Sequence, residues 1–526
     1  MEEKIDNEQQ GSAQELFEKL STDRHNFLTR ARDCSKYTIP TLIPPDGNSS
    51  GTKYYTPYQG IGARGVNNLA SKLLLALLPP NSPFFRLQID DFTLEQLTQQ
   101  EGMRAQVEEG LNKIERAVQS EIESGAVRVS AFEAMKHLLV GGNALLYLPD
   151  EGGMRVFPLE KFVVRRDPMG NVLDIVVKEC ISKEALPKDI RDVLPEEEEK
   201  SSSYGGTKDV DLYTHVHLED GKWQVYQEIK GLIVPESTGS YPKDKSPWIP
   251  VRFTKVDGES YGRSYVEEYL GDIKSLEGLS QAIVEGSAAA AKVLFMVNPN
   301  GTTSQKTLAE SDNGAIVEGN ALDVTVLQVQ KFNDFRVALE TSTRIEERLA
   351  YAFLLNSAVQ RTGERVTAEE IRFMANELES ALGGIYSILS QELQLPMVNR
   401  LMFAMERKKK LPVLPKGTVK PVIVTGIEAL GRGNDMNKLQ MFFQAAGLIS
   451  QLPPEINKED ALKRLGTSLG IDMKGLVKTP EEMQVEMQRQ QMMSMVQQGL
   501  NPAITQTGQV LKQNLANQAQ EGAPGG

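Results

Sequence analysis

Between Leu138 and Pro149 the chain changes its hydrophobic period, and no other feature constrains its fold as much. Upstream, apolar residues recur at helical spacing. In ARGVNNLASKLLLALLPP (Ala63–Pro80), Val66, Leu69, Leu73, Leu74 and Leu77 line one face before Pro79-Pro80 stops the helix. LLVGGNALLYLP (Leu138–Pro149) begins as a helix end, turns at Gly141-Gly142 and continues as an apolar strand. Residues 154–260 then alternate short β-branched runs with turn residues: MRVFPL, FVVRRD, VLDIVVKE, VDLYTHVHL, KWQVYQEI and IPVRFTKV. Such runs predict antiparallel strands. The helical period returns over Gly262–Lys292 and Phe332–Asn356, separated by a β-rich segment with turns at NPNG (Asn298–Gly301) and DNG (Asp312–Gly314). The pattern predicts an α+β chain, mainly helical, with a compact β insertion between two long helices.

The flanking regions are mostly helical. Residues 1–40 read as a polar lead and a helix, with Ser21, Thr22 or Asp23 capping its start or a break within it, and Pro40 ending it. Thr41–Thr52 is a Pro/Gly/Ser loop, and helices are expected over about 93–124 and 128–140 with a weak break at Ser120–Gly125. Pro195–Lys208 reads as a charged loop among the strands. The small residues of Gly286–Lys292 allow another helix to approach closely. Thr367-Ala368-Glu369-Glu370 is a capping box, in which the Thr367 hydroxyl accepts from the Glu370 backbone N–H and the Glu370 side chain reaches back. The helix it starts carries an apolar stripe from Ile371 to Leu393, with Gly383-Gly384 in its middle and Pro396 where it bends or restarts. Arg407–Lys416 (RKKKLPVLPK) is a basic linker, Val422–Thr425 a short strand, and about 434–500 is helical. From about Gly499 the Gln/Asn/Ala/Gly-rich end buries too little apolar surface to fold alone and is expected to be disordered. There is no internal repeat.

Length and charge bound the function. A chain of 526 residues holds roughly three or four domains. The formal net charge of −13 disfavours tight, stationary nucleic-acid binding, which normally uses a basic face. The two cysteines, Cys34 and Cys180, lack metal or redox spacing, and the acidic start MEEKIDNEQQ is unlike a signal peptide. Leu73–Leu78, the longest uncharged apolar run, falls far short of a membrane span, so a reducing aqueous compartment and no membrane are expected. Of the four histidines, His215 and His217 share one strand face and could share a metal, but no Asp, Glu or Cys completes a recognisable set. A solvent-facing pair is the reading preferred here, and His137, among leucines, is taken as a satisfied, half-buried side chain. Gly426–Gly433 comes nearest to a phosphate loop, but Arg432 and Gly433 stand where the Lys and Ser/Thr are required. No catalytic residue, cofactor or metal site is expected.

Several long segments together resemble one known family. DGESYGRSYVEEYLGD (Asp257–Asp272), NSAVQRTGERVTAEEIR (Asn356–Arg372) and SILSQELQLPMV (Ser387–Val398), with the Ala63–Pro80 and Leu138–Pro149 segments, resemble the portal, or head-to-tail connector, proteins of T-seven-like short-tailed bacteriophages. The resemblance runs from about residue 15 to 475, and the Gln-rich tail departs from it. It implies a closed homo-oligomeric ring, usually a dodecamer, at one procapsid vertex, assembled in the host cytoplasm and retained in the virion. Double-stranded DNA would pass through the channel. The terminase large subunit, major capsid protein, scaffolding protein, tail adaptor and internal core proteins would be partners. The implied parts are a wing (1–263), stem helix 1 (264–292), a clip (293–331), stem helix 2 (332–356), a channel loop (357–367), a wing return helix and linker (368–429), a crown (430–500) and a tail (501–526).

Within that frame two sets of residues stand out. On stem helix 2, Glu340 and Arg344 are an i,i+4 pair with Arg348 one turn on, either a solvated face or an intersubunit salt bridge. In the loop, Gly363 permits an unusual turn, while Arg361 and Arg365 are placed to touch phosphates weakly. Pairing of Arg361 with Glu364 across subunits is an equal alternative. A motor ATPase or nuclease, or a tail or core component, are the competing functional readings.

Overall fold

The computed structural model describes residues 12–48, 51–80, 84–89, 103–186, 191, 200–201, 208–290, 294–327, 332–355, 384–412, 419–423, 442–444, 461 and 464–465. The chain divides into two compact units, Met1–Ala429 and Leu430–Gly526. In the second unit Phe442 is buried, edge-on to Phe443 at 5.8 Å. Nearly all of the helical region expected over 434–500 lies outside the described residues, as do the expected tail and the Gly426–Gly433 segment.

Helix α1 (Ala13–Tyr37) runs unbroken through Ser21, Thr22 and Asp23, so the expected cap there is not used. The cap is Ser12, whose hydroxyl accepts from the Gln14 backbone N–H at 3.2 Å. The carboxylate of Glu228 accepts from the Ala13 N–H at 2.7 Å and from the Ser12 hydroxyl. An anion at the positive end of a helix is favourable, and this one fixes α1 to the sheet beneath it. Helix α2 (Ile61–Leu77) buries Val66, Leu69, Leu73 and Leu77 as the spacing predicts. After α3 (Met103–Ser124) the chain breaks at Gly125–Ala126, and α4 (Val127–Gly141) ends on Gly142 at φ 71°. A Cβ there would sit 2.8 Å from the Gly262 carbonyl oxygen, so glycine is required at the switch from helix to strand.

The strand region forms two antiparallel sheets. One orders β11 (Trp248–Arg252), β2 (Asn143–Tyr147) and β3 (Arg155–Phe157). The other orders β10 (Gly239–Pro242), β8 (Lys222–Ile229), β7 (Lys208–Glu219), β5 (Val172–Ser182) and β4 (Phe162–Arg166), with β6 (Lys200–Ser201) beside β7 and β9 (Leu232–Ile233) beside β8. A further ribbon joins β1 (Phe85–Ile89) to β14 (Val419–Ile423), the latter starting three residues before the expected strand. No closed barrel is present among the described residues.

The two long helices are α5 (Tyr265–Ala290) and α7 (Phe332–Ala352). They run antiparallel: Asp272 meets Arg348 at 2.9 Å, and Gly286 lies against Phe335. A Cβ at Gly286 would fall 2.3 Å from that ring, so the small residue does admit a close neighbour. Between the helices, β12 (Leu294–Val297) pairs with β13 (Val324–Leu327), and α6 (Gln305–Glu310) follows a turn in which Asp323 accepts from the Thr302 and Thr303 N–H groups at 2.8 and 3.2 Å. The last long element comprises α8 (Ile385–Leu389), a π-turn (Ser390–Gln394) and α9 (Leu395–Arg407). Pro396 therefore neither ends the helix nor kinks it freely. The π-turn widens the helix just where the proline ring would otherwise clash with a carbonyl one turn back.

Two histidines differ from expectation. His215 is buried, with Nδ1 3.0 Å from the Tyr226 hydroxyl and Nε2 3.2 Å from Asp174. His217 lies beside it with ring centroids 4.9 Å apart and is mostly buried, so the pair does not face solvent. Phe17 and Leu20 of α1 cover the same sheet face over Tyr213 and Val176. Among the described residues no group of three His, Cys, Asp or Glu is placed to hold a metal ion. Burial pushes Asp174 up, but hydrogen bonds from His215 and Arg165 outweigh it and hold the carboxyl below its usual range.

His137 is fully buried rather than half-buried, and its Nδ1 has no partner among the described residues. Burial, with Lys136 nearby, lowers its pKa from 6.5 to about 4. The fold therefore binds fewer protons than the unfolded chain between those values. Stability is fully present above the unfolded value and is lost as pH falls towards the folded one, by about 3 kcal/mol. His137→Gln should shrink the drop in urea midpoint between neutral and mildly acid pH. An equal drop in both proteins would assign the acid sensitivity to other groups.

Candidate functional site

Helix α7 ends at Ala352, four residues before the expected Asn356, and the cause lies in α2. Leu354 adopts φ 52°, and the Leu355 N–H reaches back to the Ala350 carbonyl at 2.8 Å while the Leu354 N–H reaches Tyr351 at 3.1 Å. This is a Schellman end, usually built on glycine. A leucine is held in it because side chains of α2 take the free carbonyls. Asn68 Nδ2 donates to Phe353 at 3.0 Å and to Leu354 at 3.1 Å, and the buried Lys72 Nζ donates to Leu354 at 2.9 Å. An ammonium there also meets the negative end of the helix dipole. From α5, the Tyr265 hydroxyl donates to Ala352 at 2.8 Å, and burial pushes that phenol well above its usual pKa, so it stays a donor. Gly65 lets α2 lie on Phe353: a Cβ would be 2.6 Å from the ring.

The other end of α2 is held by the return element. The Tyr386 hydroxyl donates to the Ala76 carbonyl and Gln394 Nε2 to the Leu77 carbonyl, both at 2.6 Å. Arg128 Nη1 donates to Leu78 at 2.6 Å. Within the π-turn, the Glu392 carboxylate takes the Arg252 backbone N–H at 3.0 Å and the Arg252 Nε at 3.1 Å, with Arg166 Nη2 at 3.9 Å. Burial lowers Arg166 to about 10, against the pull of Glu392, so it is still a cation at neutral pH. Two buried guanidiniums on one carboxylate fix the turn against β4 and β11. Removing one partner of such a pair typically costs about 3–5 kcal/mol.

The segment 356–383 thus leaves and re-enters the described fold at two points, both bonded to α2. The expected loop residues Arg361, Gly363, Glu364 and Arg365, and the expected cap Thr367 and Glu370, lie outside the described residues. The stem residues are described. Arg344 Nη2 pairs with Glu340 at 2.7 Å along the exposed face of α7, and Arg348 crosses to Asp272 of α5 in the same chain. Arg344 and Arg348 border a groove of about 1150 Å³, lined also by Tyr265, Tyr269, Ile345 and Tyr351.

The family described as bacteriophage head to tail connecting protein matches residues 10–477. The chain belongs to that family. Over 489 residues it is 46% identical to the portal protein of Escherichia phage T7, covering 91% of this chain and 90% of that one. It is 47% identical over 487 residues to the portal protein of Enterobacteria phage T3, covering 90% of each. The portal protein of Enterobacteria phage SP6 is 30% identical over 507 residues, 94% of this chain and 96% of that one. The chain is accordingly a structural portal subunit of the phage head. A solved neck of an empty gene transfer agent particle aligns with 83% of this chain and 94% of its own, at 10% identity and a TM-score of 0.38, a likeness that adds nothing to the family assignment. No helix among the described residues is long and apolar enough to cross a membrane.

The clamp residues Gly65, Asn68, Lys72 and Tyr265 were not singled out by sequence reasoning. A signal was present: Asn68 and Lys72 are one turn apart, beside the apolar stripe of Leu69 and Leu73, which places two donors on one side of the helix. Lys72→Met should destabilise the portal subunit by about 1–3 kcal/mol, because a buried carbonyl loses its charged donor. Arg344→Ala, which removes only an exposed ion pair, should leave stability unchanged within the error of urea titration. Equal effects from the two substitutions would remove the clamp from the argument.

Proposed function

We propose that this portal subunit closes into a ring at one capsid vertex and serves as a conduit for double-stranded DNA, with α5 and α7 as the stem, residues 293–331 as the clip and 357–367 as the channel loop. Terminase would dock on it first and the tail later. Capsid, scaffolding and internal core proteins are the remaining partners of this reading. The supporting observation is a run of exposed apolar side chains on the stem and clip elements. Val337, Leu339 and Tyr351 lie bare on α7, Phe295 and Met296 are exposed on successive residues of β12, and Ile316 is fully exposed. A two-stranded ribbon is marginal by itself, and apolar residues exposed in this way need cover. Heterologous contacts repeated around an axis supply it on every subunit at once. The family is one of structural connectors, in keeping with a role that is not enzymatic.

In this reading the loop arginines Arg361 and Arg365 make weak phosphate contacts that break as readily as they form, within a chain of net charge −13. On the stem, Arg344 and Arg348 reach a neighbouring subunit once their present partners are shared. Negative-stain images of the purified protein should show rings with a channel as wide as duplex DNA, and discrete monomers would contradict the reading. Rings carrying Arg361→Ala with Arg365→Ala should assemble but package or retain less DNA than wild type. Normal packaging and retention would exclude the loop arginines as DNA contacts.

A further inference from the structure

The basic turn that ends α9 lies apart from the α2 clamp and from the α5–α7 pair. Its base is a cluster around Phe403. Arg400, almost wholly buried, donates through Nε to the Leu148 carbonyl at 2.9 Å and through Nη2 to Asp150 at 2.7 Å, while its Nη1 has no partner among the described residues. Arg407 takes the other oxygen of Asp150 at 2.6 Å. Three cations lie over the Phe403 ring: Lys245 at 5.0 Å, Arg400 at 5.8 Å and Arg407 at 6.0 Å. One carboxylate therefore serves two guanidiniums. Next in sequence come three lysines. Lys410 pairs with Glu121 at 2.7 Å, whereas Lys408 and Lys409 are exposed and make no ion pair among the described residues. Glu406, two residues before Lys408, and Asp244, next to Lys245, reduce the charge without cancelling it.

The backbone of this turn argues that the charge is wanted. The Lys410 N–H bonds the Met405 carbonyl at 2.9 Å and the Lys409 N–H bonds Glu406 at 3.0 Å, the two bonds of a Schellman end, with Lys409 at φ 56°. Glycine is the usual residue there, and an L side chain costs roughly 1 kcal/mol. Unlike Leu354 at the end of α7, Lys409 has no buried packing in return. A strained lysine beside another unpaired lysine, in a chain of net charge −13, favours an anionic partner.

We propose that the Lys408–Lys410 turn, with Lys245 beside it, is a phosphate-contact surface that takes the backbone of duplex DNA outside the channel. The proposal rests on the portal reading, which brings this chain beside double-stranded DNA. Flexible ammonium groups act as point charges, so several can meet successive phosphates without reading bases. An acidic peptide fits less well, because the Phe403 ring is already covered by cations and offers no apolar slot for an anchoring side chain.

The test uses assembled full-length rings and a short labelled duplex, with anisotropy followed over a salt series. Lys408→Gln with Lys409→Gln should weaken binding about tenfold at low salt and reduce the slope of log K against log salt by about two. Lys409→Gly should raise the thermal midpoint by relieving the backbone and yet weaken binding. Unchanged affinity and slope in the double variant would overturn the proposal. So would a Lys409→Gly ring that is more stable and binds equally well. Loss of binding only in Arg361→Gln with Arg365→Gln would place all DNA contact in the loop and overturn it too, leaving the portal reading intact. Displacement of the duplex by polyglutamate at equal charge would mark a surface for acidic polypeptide and equally overturn it. Failure to form rings would instead count against the portal reading.

Discussion

A buried ammonium, Lys72, faces the carbonyl end of α7, and the rest of the subunit is arranged around that contact. A helix ends with carbonyls that have no partner of their own, and inside a protein each must find a donor. Here the donors come from α2 and α5, so the end of the second long helix is set by its neighbours as much as by its own sequence. The same α2 gives its own terminal carbonyls to Tyr386 and Gln394 of the return element. One helix therefore receives both ends of the segment that carries the expected channel loop.

This arrangement couples parts that are distant in sequence. The α5–α7 pair is fixed along its length by Gly286 against Phe335, by Asp272 with Arg348 and by Tyr265 with Ala352. The return element is fixed to the strands by Glu392 between Arg252 and Arg166. Its π-turn places Glu392 where both arginines reach it and lets Pro396 sit inside a continuing helix. A displacement at either end of the 356–383 segment must therefore move α2, or break buried polar bonds to it.

Much of this was legible in the sequence, for reasons that differ by element. The α2 stripe, the strand runs from Arg155 to Arg252, the paired helices and the small residue at Gly286 follow from period and side-chain size. Long ungapped segments carried the family, whose extent over residues 10–477 slightly exceeds the expected one. What was missed depends on contacts between distant residues. Nothing local says that α1 covers the face bearing His215 and His217, or that Glu228 rather than a helix residue helps cap α1. Leu354 in a left-handed turn is intelligible only once Asn68 and Lys72 are seen beside it. The Arg407–Lys410 run was visible as a charge, but its strain at Lys409 is a property of the folded backbone.

The clamp is tested most directly by hydrogen exchange in the purified portal subunit, comparing backbone amides at Phe353–Leu355 and Tyr386–Leu389 with those in the middle of α2. If α2 holds both limbs, all three groups should share slow exchange and open together as one cooperative unit. Fast exchange at either limb while α2 stays protected would contradict a common anchor.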